Sequence, residues 1–424
     1  MNKETRDRRA DLGKVARNLI IGLGLFTYLV MGLYTELKLV GIKPLPEKLI
    51  EDFQYYTWAF NDAVELGDPY QKRDIGTGFL YPPPALLVVG AYVLPSRLAQ
   101  EHLGLDHFLL RGSALTITNV LLLCLMIVGI ARRYGYAPSD VWWWFPLGLG
   151  FAPFLELLHL GQINVITQFG VFLMFLYAEC SPWLGGLGLA LGTVTKVTPL
   201  AFVGYLLVNR RLRAIAGTLA GLAGFILVTG MLFGWQPFAT YGEVWRGLLD
   251  AFPLGTNAQS LVALLQSHGL ISDLAVPGVQ RGLTLYLALV FVISGAITYV
   301  SRRQEPLFII LSFGLALMPN VMWYHHYVFL LLPVLVWLGW SRMHPGVTYW
   351  CLAGLALIQI DRQASLLQAS HGAAAHIFGH ASILGILAWQ IRQAITLIRA
   401  EPSLRALLRW HAPSESPTTP SPPA

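Results

Sequence analysis

One carboxylate, one lysine set deep in apolar sequence, two adjacent histidines and a few amides are the residues that could do chemistry here. Asp52 stands in Glu51-Asp52-Phe53-Gln54-Tyr55-Tyr56-Thr57-Trp58-Ala59, a segment too polar for hydrocarbon and flanked by long apolar runs. It reads either as a solvated acid on an interfacial helix or as a group placed to move a proton. Lys196 lies in Leu191-Gly192-Thr193-Val194-Thr195-Lys196-Val197-Thr198-Pro199, with apolar sequence on both sides. It cannot easily snorkel to a surface, so it needs an anionic partner: a phosphate, or a carbonyl or carboxylate at the end of a half-helix. Gln162 and Asn164 occupy Gly161-Gln162-Ile163-Asn164 at the mouth of an apolar run, with Glu156 and His159 just before. Asn257 and Gln259 sit in Thr256-Asn257-Ala258-Gln259-Ser260, where Asn257 and Ser260 also suit a helix cap. His325 and His326 follow Pro319-Asn320-Val321-Met322-Trp323-Tyr324. Adjacent side chains project in different directions, so one can meet a phosphate oxygen or a sugar hydroxyl while the other packs. Amides that hold hydroxyls, aromatics that stack on a sugar face, a cation for a phosphate and a base for an acceptor hydroxyl suit a lipid-linked, phosphate-bearing sugar.

The scaffold is a membrane. Of 424 residues, 55% are hydrophobic and only 12% charged, against roughly 25% charged in a soluble domain. The net charge of +6 is that of cytoplasmic Lys and Arg in a polytopic protein rather than of a nucleic-acid binder. Cys124, Cys180 and Cys351 all fall in apolar runs and give no disulfide, zinc or redox pattern. Lys3, Arg6, Arg8, Arg9, Lys14 and Arg17 precede the first apolar run, which reads as a retained helix with a basic cytoplasmic tail over 1–17.

A span needs about 20 apolar residues. Candidates lie at 18–40, 82–100, 112–131, 140–158, 163–180, 183–208, 214–234, 278–300, 306–319, 327–341, 346–361 and 376–399. Pro146, Gly148, Gly150 and Pro153 interrupt 140–158, and Lys196 and Pro199 interrupt 183–208. Each of these two reads as one span or as a pair of half-helices lining a cavity. Basic residues orient the chain with both ends inside and the loops 41–81, 235–277 and 320–326 outside; only Arg132-Arg133 fall on the wrong side of that count. In the first external loop Leu49, Phe53, Tyr56, Phe60 and Val64 form one apolar stripe, the mark of an amphipathic helix lying on the membrane with Asp52 on its flank. Pro82-Pro83-Pro84 suit the first turn of the next helix, and Trp142-Trp143-Trp144 read as an interfacial belt. His376 and His380 have metal-pair spacing, with His371 before them, but no carboxylate or cysteine is adjacent; they read as a partly solvated interfacial cluster. Residues 401–424, rich in Pro and Ser toward the end, read as a disordered cytoplasmic tail.

These residues resemble a known family. Asp52-Phe53-x-x-Tyr56-x-x-Ala59, Gly67-Asp68-Pro69-Tyr70, Tyr81-Pro82-Pro83, Gly161-Gln162-Ile163-Asn164, Gly188-Leu189-Ala190 through Lys196 and Pro199, Asn257 through Ser260, and Trp323-Tyr324-His325-His326 appear in the family's order. The chain is thereby similar to glycosyltransferase family 87 of the GT-C superfamily, the polyprenyl-phosphate-mannose-dependent mannosyltransferases, over roughly residues 45–340. It departs where Asn257 and Gln259 are separated by Ala258, since the family has Asn, Gln and Ser adjacent. The resemblance implies an all-α polytopic GT-C fold of about 11–13 transmembrane helices, with the transferase domain over 18–400. It implies an inverting transfer, without cofactor or metal, from a polyprenyl-phosphate sugar to a lipid or glycan acceptor on the extracytoplasmic side of the plasma membrane. Asp52 is then the general base, and Lys196, His325, His326, Gln162, Asn164, Asn257, Gln259, Tyr56 and Tyr81 hold the donor phosphate and sugar. Transferases of arabinose or glucose, or a flippase of lipid-linked sugars, would use a similar binding inventory; a flippase needs no base at Asp52.

Overall fold

The computed structural model describes residues 22, 25–34, 37, 41, 50–70, 79–104, 107–250, 259–319, 322–366 and 373–400. The tails 1–17 and 401–424, Leu49, Asn257, Asn320 and His371 lie outside the described residues. Apolar sequence folds into helices wherever it runs unbroken, because hydrocarbon leaves no other partner for the backbone. In order these are α1 (Leu25–Tyr34), α2 (Glu51–Glu65), α3 (Ala85–Leu103), α4 (His107–Arg133), α5 (Pro138–Val141), α6 (Trp144–Leu149), α7 (Ala152–Leu160), α8 (Asn164–Tyr177), α9 (Pro182–Thr195), α10 (Phe202–Val208), α11 (Leu212–Phe233), α12 (Gln236–Asp250), α13 (Leu261–Ser267), α14 (Val276–Ser301), α15 (Glu305–Leu317), α16 (Leu331–Trp340), α17 (Pro345–Leu366) and α18 (Ala373–Ala400). Short 3₁₀ helices, Thr198–Ala201 and Tyr324–Leu330, lead into α10 and α16. No strand occurs among the described residues.

The protein is an all-α polytopic membrane protein. Among the described residues four helices are long and apolar enough to cross a bilayer: Gly112–Arg133, Leu212–Phe233, Asp273–Ser301 and Ala373–Leu397. A fifth span forms if Pro138–Leu149 and Ala152–Leu160, bent by 54°, count as one. Other expected spans are shorter apolar helices, such as the 14 residues of α8 and the 13 of α15. Leu285, Leu289 and Val292 on α14, and Leu227 and Met231 on α11, turn outward, as lipid-facing side chains do.

Both interrupted runs break where their sequence said they could. The 140–158 run parts at Gly150 and Phe151 between α6 and α7. The 183–208 run parts at Lys196, whose backbone is extended (φ −159°, ψ 130°), with Pro199 opening the next turn. A third run is redirected. α3, read as the span 82–100, lies along α2: Gly90 meets the Phe60 ring, Tyr92 meets Phe53, and Arg97 donates to Asn61 Oδ1. It then doubles back into α4, whose Gly112 abuts Ile50. The 19 residues of α3 are long enough to span but are not apolar enough over their full length, with Arg97, Glu101 and His102 in the second half.

Removing that crossing brings Arg132-Arg133 to the end of the bundle where the other basic residues gather. Arg133 lies 4.6 Å from the Phe175 ring centroid, Arg211 pairs with Glu179 at 3.0 Å, and Arg303 lies over Trp389. Tyr136 reaches Gly339, beside Arg342. Glycines let α8, α9 and α11 touch backbone to backbone. A Cβ on Gly170 would stand 2.5 Å from Gly188 O and Gly192 N, a close approach typical of helix pairing in lipid. That packing fixes the end of α9, and so Lys196.

Candidate active site

α2 carries Asp52 in its first turn, where the exposed N–H groups of the helix favour a carboxylate. The helix start is pinned across the fold, because Ile50 N–H donates to His159 O at 2.7 Å. Two residues after His159, Gly161 ends α7 in the left-handed region (φ 71°) and packs so close that a Cβ there would lie 2.9 Å from the Cβ atoms of Ile50 and Phe53. Only glycine satisfies both demands. The turn delivers Gln162, whose Nε2 donates to Asp52 Oδ2. Its Oε1 lies 2.6 Å from the Tyr56 hydroxyl and 2.9 Å from the Tyr81 hydroxyl, which are 2.8 Å from each other. Two phenol donors on one side and a carboxylate on the other allow a single amide orientation. Asn119 fixes the Gln162 backbone by donating to its carbonyl at 3.0 Å. Burial pushes the Tyr56 phenol well above its ordinary range, helped by its Tyr81 and Asp52 neighbours. Burial does the same to Tyr81, so both stay protonated donors at neutral pH.

A second group of polar residues gathers around α8, which begins just after Gln162. Lys196 extends into a cleft it shares with Gln168, Ser312 and His326, and its Nζ lies 5.0 Å from the Phe329 ring centroid. Apart from Thr198 the remaining wall is apolar, with Val171, Phe202, Leu315 and Leu332 among its members. Thr167 and Thr195 hydrogen-bond at 2.9 Å and tie α8 to the residue before Lys196. Gln168 Nε2 donates to Val328 O at 2.6 Å and holds the 3₁₀ helix that carries the histidines. Gln162 stands two residues before α8, and Gln168 lies at the start of its second turn, so one short stretch of chain serves both groups.

The adjacent histidines part as their geometry requires. His326 turns to the Lys196 cleft and accepts from Trp323 N–H at 3.3 Å. His325 is buried, stacked parallel on Trp323, with neither ring nitrogen hydrogen-bonded among the described residues. Asn164 is fully buried at the start of α8, and both its side-chain polar atoms lack a partner among the described residues. Gln259 enters through its backbone: its N–H donates to Met322 O at 2.7 Å, and its carbonyl accepts from Tyr327 and His376. Ser260 is an N-cap, accepting from Ala263 N–H at 3.2 Å. The solvated-cluster reading of the later histidines fails at His376, which is buried and donates Nε2–H to Gln259 O at 2.8 Å. Gln168 and Arg362 are polar residues at the site that the sequence reading passed over. Gln168 is a lone amide inside an apolar run, the type of signal that marked Lys196. Arg362 follows an apolar run by one residue and looks like an ordinary span end.

An acid–amide–phenol cluster and a lysine–histidine cleft, at the end of a helical bundle away from its basic face, define a membrane protein with a polar site at the rim of its lipid-embedded core. A sequence profile described as Glycosyltransferase family 87 matches residues 79–333. The chain belongs to that family. Asp52 and Tyr56 precede the matched stretch, and both hydrogen-bond to Gln162 within it. A polyprenol-phosphate-mannose-dependent alpha-(1-2)-phosphatidylinositol mannoside mannosyltransferase of Mycobacterium tuberculosis is 30% identical over 236 residues, 53% of this chain and 51% of the relative. A polyprenol-phosphate-mannose-dependent alpha-(1-2)-phosphatidylinositol pentamannoside mannosyltransferase of Mycolicibacterium smegmatis is 26% identical over 277 residues, 63% of this chain and 62% of the relative. The matched stretches thus span about half to three fifths of these relatives.

Proposed function

We propose that the protein is a membrane glycosyltransferase that moves a sugar, mannose by the relatives' names, from a polyprenyl-phosphate carrier to the hydroxyl of a glycolipid or glycan acceptor outside the cytoplasm. The observation that carries this reading is the hydrogen bond from Gln162 to Asp52, which orients the carboxylate through the residue that leads into α8, whose Gln168 and Val171 line the Lys196–His326 cleft. Asp52 takes the proton of the acceptor hydroxyl as the oxygen attacks the anomeric carbon. The bond from that carbon to the phosphate oxygen breaks, the phosphate leaves with the electron pair, and configuration inverts. Lys196 and His326 bear the charge that grows on the phosphate, and the apolar wall of their cleft suits the first isoprene units. Asn164 and His325, buried with unspent hydrogen-bonding atoms, suit sugar hydroxyls. Asn257 keeps its assignment to donor binding by family resemblance, while Gln259 serves the donor through the backbone frame it holds.

The test is to incubate purified protein with polyprenyl-phosphate mannose, and separately with the arabinose and glucose counterparts, together with membrane lipids. A lipid product heavier by one hexose, formed from the mannose donor, is the expected result. Movement of the donor across a vesicle bilayer with no product would instead favour a flippase.

A further inference from the structure

Deep in the bundle, Glu156 of α7 and Arg362 of α17 form an ion pair at 3.0 Å with each side chain about nine-tenths buried. Two charges withdrawn from water are stabilising only when each is well paired, and apolar side chains would fill the same space with less penalty. Its position offers a reason. α17 also caps the start of α7, because Gln359 Oε1 accepts from Ala152 N–H at 2.9 Å. α7 is therefore held at its first turn and again at Glu156, one helical turn ahead of Gly161 and Gln162. The same guanidinium lies 4.6 Å from the Tyr324 ring centroid, and the Tyr324 hydroxyl donates to Ile358 O, one turn back on α17, at 3.1 Å. Tyr324 immediately precedes His325 and His326. One face of α17, made of Ile358, Gln359 and Arg362, thus grips both the helix that delivers Gln162 to Asp52 and the turn that delivers the histidines.

We infer that the Glu156–Arg362 pair is a positioning device that fixes the distance between the Asp52–Gln162 group and the His325–His326 group. In catalytic terms this rests on the proposed transfer reaction, where base and leaving-group contacts must act on the same anomeric carbon and small displacements are costly. A planar fork that pairs with an acid at its edge and stacks on a ring at its face can register two elements at once; an apolar pair cannot.

The test pairs two variants with two readouts. Glu156→Met with Arg362→Met removes both charges and fills the space. Arg362→Lys keeps Glu156 paired and keeps the fold, but gives up the planar contact with Tyr324. Hydrogen exchange is followed over 159–166 and 322–330 alongside the melting temperature, and turnover is measured against donor affinity. In the double variant both segments are expected to exchange faster, with turnover down at least tenfold and donor affinity changed less. The lysine variant is expected to loosen 322–330 and lower turnover several-fold. A well-folded lysine variant with wild-type exchange and wild-type turnover would overturn the inference, and so would a folded double variant with both unchanged. If the wild-type protein transfers no sugar, the proposed reaction fails, and the exchange measurements still decide whether the pair couples the two segments.

Discussion

Each group at the site has a task its chemistry can be held to. Lys196 is the cation nearest the proposed phosphate, so Lys196→Met is expected to weaken donor binding by roughly 1.5–3 kcal/mol, tenfold to over a hundredfold, in a folded protein. Isothermal titration with a polyprenyl-phosphate sugar measures it, and unchanged affinity would remove Lys196 from the donor site. Gln162→Leu keeps the side chain's bulk but leaves two phenols and a carboxylate without their shared partner. Turnover is expected to fall more than tenfold while Tyr81→Phe, which spares the Tyr56 contact, costs far less. Equal losses in the two variants would speak against Gln162 as the orienting group. At this scale the sequence was informative where a polar residue was out of place. Lys196 announced itself by interrupting hydrocarbon, Gln162 by standing at the mouth of an apolar run, and Asp52 by sitting on the amphipathic segment between two such runs. Arg362 did not, because an arginine one residue past an apolar run is indistinguishable from a span end until Glu156 is seen opposite it.

Helices place these groups by where they stop. α7 stops at Gly161, and a methyl there meets both a left-handed backbone and the Ile50 and Phe53 side chains. Gly161→Ala is therefore expected to destabilise the protein by more than the 1–2 kcal/mol of the backbone alone, and to lower turnover by displacing Gln162. A melting temperature and turnover both within error of wild type would contradict this. α9 is held by backbone contact with α8, so Gly170→Val is expected to cost at least the 1–3 kcal/mol of an overpacked site and to weaken donor binding through Lys196. Breaks were legible in the sequence: Lys196 with Pro199, and Gly150 with Pro153, each cut a run too long or too interrupted for one straight helix. The course of α3 was only half legible. Its first half is as apolar as a span, but over its full length, with Pro95, Arg97 and Glu101, it falls short of one, and its contacts with Phe53, Phe60 and Asn61 reveal a helix laid beside α2.

For the whole molecule, the course of α3 reconciles the basic residues with one face. Arg133, Arg211 and Arg303 gather at one end, and Asp52, Gln162 and Gly161 lie toward the other, which predicts an external site by the charge rule. With all native cysteines replaced, Asp68→Cys is expected to react with a membrane-impermeant thiol reagent on intact cells. A protein keeping only Cys180, exposed beside the Glu179–Arg211 pair, is expected to react only after permeabilisation. The opposite pattern would invert the molecule and put the proposed acceptor in the cytoplasm. The central claim, that this bundle uses Asp52 to activate an acceptor hydroxyl, is tested most directly by comparing sugar transfer by wild type and Asp52→Asn with donor binding measured in parallel. The amide keeps size and polarity but takes no proton. Transfer is expected to fall by roughly a hundredfold to ten-thousandfold with donor affinity little changed, whereas near-normal transfer by the variant would contradict the account.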